Sequence, residues 1–85
     1  MWAAVWHAGF RVIDVSDFTK PGTVAEFDYH PPFSEPTHTI LPLPNTIDGR
    51  RIAVAVDEEH DHRPGALHAF MWGFDVTDFN NVQTL

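Results

Sequence analysis

A chain of 85 residues holds one small domain and excludes a second, and 44% hydrophobic side chains with three Trp, seven Phe and one Tyr exclude a disordered tail. Five Lys and Arg against twelve Asp and Glu leave a net charge of -7, which repels phosphate backbones and anionic lipid headgroups, so nucleic acid is not an expected partner. With no Cys, neither a disulfide framework nor a thiolate metal site can form.

In chain order, the first apolar segment is Trp2–His7. It is short, lacks a basic leader and runs directly into a patterned strand, so it reads as a strand and not as a signal peptide. Seven prolines and five glycines then divide the chain into short runs rich in Val, Ile, Phe and Trp, without helical periodicity. The expected strands are Trp2–His7, Phe10–Val15, Thr23–Tyr29, Thr37–Leu43, Arg51–Val56, Ala66–Val76 and Val82–Leu85. No run reaches the roughly 18 to 20 apolar residues of a membrane span, so no membrane insertion by this segment is expected.

The second strand and its turn recur. Gly9–Val24 aligns without gaps on Phe70–Leu85, so that Asp14, Val15, Asp17, Phe18 and Thr23 return as Asp75, Val76, Asp78, Phe79 and Thr84, with Ser16 matched by Thr77. Each copy is a strand, an Asp/Ser-type turn and another strand, in which the Asp and Ser/Thr side chains bond nearby backbone N–H groups. Two more strands lie between the copies, so one period holds four strands, the content of a propeller blade. The expected fold is therefore all-β, an antiparallel meander comprising a little over one blade of a β-propeller. Residues 1–29 form the end of one blade and 37–85 the next. On this reading the isolated chain is a fragment, and it self-associates through exposed edges and aromatic faces.

The run Gly9-Phe-Arg-Val-Ile-Asp-Val-Ser-Asp-Phe-Thr-Lys-Pro21 resembles the LVIVD repeat, in which a glycine, an apolar strand and Asp-Val/Ile-Ser-Asp lead into a turn. The second copy, Trp72–Asn81, is a looser match without the proline. The resemblance implies a β-propeller whose other blades are the partners, in an extracytoplasmic protein, secreted or on the cell surface. The organisation is also distantly similar to the selenium-binding, methanethiol-oxidase propellers, but no motif carries their metal ligands onto residues of this chain.

Antiparallel succession places alternate connections at the same end of the strands. One end then collects Ala8-Gly9, Tyr29–Pro36 and Asp57–Gly65, with His7, His30, His38, His60, His62 and His68 in or beside them, while the Asp-rich turns and Asn45–Gly49 occupy the other end. If Asp57–His62 is extended, Glu58, His60 and His62 share one side, and His38 comes near enough to complete a set. Imidazole with carboxylate suits a transition metal such as Cu, Zn or Fe, so His38, Glu58, His60 and His62 are the candidate metal ligands. The competing reading of Asp57–His62 is a solvated charged loop. His7 reads as a turn-flanking residue, and His68 as a partly buried strand residue bonded to the backbone.

Other chemistry finds little support. Ser16 and Ser34 are the only serines and no Gly-x-Ser-x-Gly elbow or phosphate-cradling loop is present. The pairs Asp14/Asp17 and Asp75/Asp78 read as turn formers. Phe10, Phe18, Trp72, Phe74 and Phe79 read as packing between blades, and Pro31–Pro36 as a rigid loop that positions His38. No catalytic residue is assigned. The leading expectation is a scaffold or binding module, and the alternative is a metal-binding, oxidoreductase-like propeller enzyme with its His/Glu site on the axial face, at the histidine-bearing end.

Overall fold

Alternation of side chains about a pleated backbone explains the architecture. The computed structural model describes residues 1–61 and 63–85. Its strands are β1 Trp2–Ala4, β2 Phe10–Asp14, β3 Gly22–Phe27, β4 Thr37–Pro42, β5 Ile52–Asp57, β6 Met71–Asp75 and β7 Gln83–Thr84. They form two antiparallel meanders, a three-stranded sheet β1-β2-β3 and a four-stranded sheet β4-β5-β6-β7. The all-β expectation holds, and there is no helix among the described residues.

Three strands are at least two residues shorter than their apolar runs. The first stops at Ala4 because Trp6 takes φ +39 and a turn closes from Val5 N–H to the Gly9 carbonyl at 2.8 Å. Residues 66–70, expected in the sixth strand, lie outside it. The Asp57 side chain accepts the Phe70 N–H at 3.2 Å, in place of a backbone carbonyl, and the ladder ends there. The last strand is reduced to Gln83–Thr84, although Leu85 N–H still donates to Gly73 at 2.9 Å.

The core lies between the sheets. Phe10 and Phe74 are fully buried with ring centroids 5.0 Å apart, and Phe27 packs on Phe74 at 5.1 Å. Ala25, Ala53 and Ala55 leave room for these rings. The sheets use unlike faces. β2 turns Phe10 and Val12 inward, whereas β6 turns in Trp72 and Phe74, which correspond to Arg11 and Ile13. At the inner edges Thr37 N–H donates to the Trp6 carbonyl at 2.9 Å and joins β4 to the end of β1.

The hydrogen bonding of the β2–β3 hairpin returns in β6–β7 at an offset of 61, from Asp14 to Asp75. Ile13 pairs with Thr23 and Asp14 with Gly22, as Phe74 pairs with Thr84 and Asp75 with Gln83. In the turns, Asp14 accepts from Ser16 N–H and Asp17 from Thr19 N–H, as Asp75 accepts from Thr77 N–H and Asp78 from Asn80 N–H. These Asp residues are turn formers. One aromatic departs from its expected role. Phe79 packs edge-on against Trp2 at 6.1 Å, but Phe18, its counterpart, is 85% exposed, on a turn at the far side of the three-stranded sheet from the core.

Candidate functional site

Three connections meet at one end of the strands: the β1–β2 turn, the β3–β4 loop and the β5–β6 loop. Contacts between them bring the histidines together. The rings of His7 and His30 lie 5.7 Å apart, and His60 sits edge-on to Trp6 at 5.2 Å. Glu58 N–H donates to the Pro36 carbonyl at 2.9 Å, stitching the acidic loop to the proline loop.

Buried acceptors hold this end in place. Glu35, 2% exposed, receives the backbone N–H groups of His60 and Asp61, the second at 3.0 Å. A buried carboxylate that accepts two backbone donors recovers much of what it loses in leaving water. Asp57 is the second such group. It accepts from the Tyr29 hydroxyl, from Trp72 Nε1 at 2.8 Å and from Phe70 N–H, while the Tyr29 and Thr37 hydroxyls share a further hydrogen bond. Burial first, and then the Asp57 carboxylate, push the Tyr29 phenol well above its ordinary range.

The proline loop is closed by His30. Its ring is largely buried and both nitrogens face acceptors, Nδ1 the Asp28 carboxylate at 2.7 Å and Nε2 the Glu35 carbonyl at 2.9 Å. Phe33 packs against Phe70 and Trp72, and Pro36 is fully buried. The loop is thus a rigid element, and what it places directly is Glu35 and His30.

Of the candidate ligands, the structure brings His38, Glu58 and His60 to one spot, while His62 lies outside the described residues. Glu58 Oε2 is 3.3 Å from His60 Nε2 and 3.9 Å from His38 Nε2. All three side chains are about half exposed, and His38 Nδ1 bonds Thr39 Oγ1 at 2.9 Å. His38 is the extra residue of a bulge between Thr37 and Thr39, which turns its side chain outward beside that of Thr39. The alternation expected in the acidic loop holds for Glu58 and His60. No three His or carboxylate groups among the described residues are arranged to hold one metal ion.

The other two histidines differ in their surroundings. His7 flanks the turn as expected. His68 is exposed and pairs through Nδ1 with Glu59 at 2.9 Å, not with the backbone, because it lies in the loop and not in β6. A shallow depression of about 380 Å³, lined by Ala8, Arg11, Glu26, Phe27 and Asp28, lies beside this end and does not include the His38–Glu58–His60 group.

Sequence reasoning missed the residues that build the site: Trp6, Tyr29, Glu35 and Asp57. Tyr29 as the single tyrosine and Glu35 as the one acidic residue of the proline loop were the available signals. Chemically, the surface offers two imidazoles sharing a carboxylate, with the half-exposed Trp6 ring as an apolar wall. Such a group can exchange protons or bind a polar ligand against an aromatic face. No family model, curated protein or solved structure matches the chain.

Proposed function

We propose that this chain is a repeat module of a larger β-propeller of the LVIVD-repeat kind, a non-enzymatic scaffold whose histidine-bearing end serves as a binding surface. One observation carries the reading: the strand register and turn hydrogen bonds of Asp14–Thr23 return at Asp75–Thr84. Two successive units built by the same local rules, each burying a face on its neighbour, are what a tandem array requires. The fixed parts of the histidine end, Glu35, Asp57 and Tyr29, are engaged in holding loops, and the exposed ones are available to a ligand.

The second reading is a metal-binding module, favoured by Glu58 standing between His38 and His60. Elemental analysis of protein purified without a histidine tag separates the two. The scaffold reading expects copper, zinc and iron well below one equivalent per chain. A stoichiometric transition metal that is lost on His60→Ala or Glu58→Gln overturns it.

A further inference from the structure

We infer that the outer face of the four-stranded sheet docks a second copy of this chain, head to tail, against the outer face of that copy's three-stranded sheet. The inference rests on the repeat-module reading and adds the surface, its occupant and the sense of assembly.

The face is defined by register. Leu41 pairs with Val54 and Val54 with Gly73, whose carbonyl receives Leu85 N–H, and Val56 pairs with Met71 in the adjacent row. These residues point away from the core. Met71 is 77% exposed, Leu85 65%, Leu41 61% and Val56 44%. An apolar patch running from β4 across the sheet to the residue after β7, in a chain of net charge -7, marks a surface that is covered in use.

The chain itself identifies what covers it. Met71 and Gly73 in β6 are the counterparts of Phe10 and Val12 in β2, by the same offset that relates Asp75 to Asp14. Val54, which pairs with Gly73, is likewise the counterpart of Trp2, which pairs with Val12. The open face of the four-stranded sheet is therefore the same face that the three-stranded sheet buries. Within the chain that face is covered by Trp72, Phe74 and Phe79. Their counterparts on the three-stranded sheet are Arg11, Ile13 and Phe18. A second copy thus carries the matching surface, with Phe18 set to meet Val54 as Phe79 meets Trp2. Arg11, in the place of Trp72, arrives paired with Glu26 at 3.4 Å and can lay its methylene stem on the apolar face.

Because the two surfaces differ, each copy keeps one of them open after docking. The contact is heterologous and builds chains or rings instead of a closed two-fold dimer.

Sedimentation velocity with Met71→Glu and Phe18→Glu tests this. Both positions are exposed, so circular dichroism and the unfolding midpoint should match those of the unmodified chain when all are compared at dilutions where each is monomeric; Leu85→Glu replaces Met71→Glu if the latter does not fold. The unmodified chain should associate in a concentration-dependent way, and each variant alone should associate at least tenfold more weakly. An equimolar mixture of the two should form a one-to-one dimer, because each retains the surface the other lacks. An unmodified chain that stays monomeric, or a mixture that stays monomeric while the unmodified chain associates, overturns the proposal. The first result also counts against the module reading, on which the isolated chain self-associates; the second removes only this pair of surfaces and leaves the module reading, and the metal analysis that tests it, untouched. Conversely, stoichiometric metal would remove the module reading without altering the sedimentation of the mixture.

Discussion

At Gly9 the backbone takes φ +67, and the carbonyl oxygen of Phe27 lies 1.9 Å from where a Cβ would stand. Gly9→Ala is expected to lower stability by about 2 to 4 kcal/mol through combined strain and overlap with fixed backbone. Gly22→Ala, with nothing within 4 Å, is the control that should change little. Denaturant midpoints compare them. The turn at Ala8-Gly9 was legible in the sequence, but the close approach comes from β3, eighteen residues on. Tyr29 makes a second residue-scale prediction. Its phenol is raised by burial and by Asp57, so the folded chain holds this proton where an unfolded one releases it, and stability falls as pH rises above about 10. Because Tyr29 is the only tyrosine, its ionisation can be followed by absorbance and should coincide with unfolding. Tyr29→Phe should remove this alkaline arm and cost about 1 to 3 kcal/mol at neutral pH, since Thr37 and Asp57 each lose a buried partner.

The turns act at the scale of elements. Hydrogen bonds from Ser16 lower the Asp14 carboxyl, and those from Thr19 and Thr77 do the same for Asp17 and Asp75. A carboxylate whose folded value is depressed stabilises the fold above its unfolded value, and that contribution is lost as pH falls through the folded one. Thermal unfolding midpoints should therefore be level down to about pH 4 and decline below it. Asp14→Asn combined with Asp75→Asn should make that decline shallower. The same recurrence allows a comparison between hairpins. Phe79→Ala removes a ring packed on Trp2 and beneath the Arg51 guanidinium, and should destabilise by about 1 to 3 kcal/mol. Phe18→Ala, at the matching position but exposed, should change monomer stability by no more than about 0.5 kcal/mol.

For the molecule as a whole, stability rests on a shared interface between the sheets centred on Phe10 and Phe74. Phe74→Ala should cost about 3 to 5 kcal/mol and lower the midpoint as one cooperative transition, because neither sheet keeps a covered face without the other. The sequence alone determined the strands, their antiparallel succession and the Asp turns. All three follow from local rules: side chains alternate in a strand, and an Asp bonds the N–H two residues on. By the same parity it also determined that the described histidines gather at one end, and the period-two spacing of Glu58 and His60 put them on one side. Tertiary structure decided the rest. Strand ends moved where Trp6 turned left-handed after β1 and where the Asp57 side chain, from another strand, took the Phe70 N–H. The loops were fixed by Glu35 and Asp57, whose partners lie 13 to 28 residues away. Burial separated Phe79 from Phe18, two residues with the same local sequence, because only one of them has a neighbouring sheet to meet.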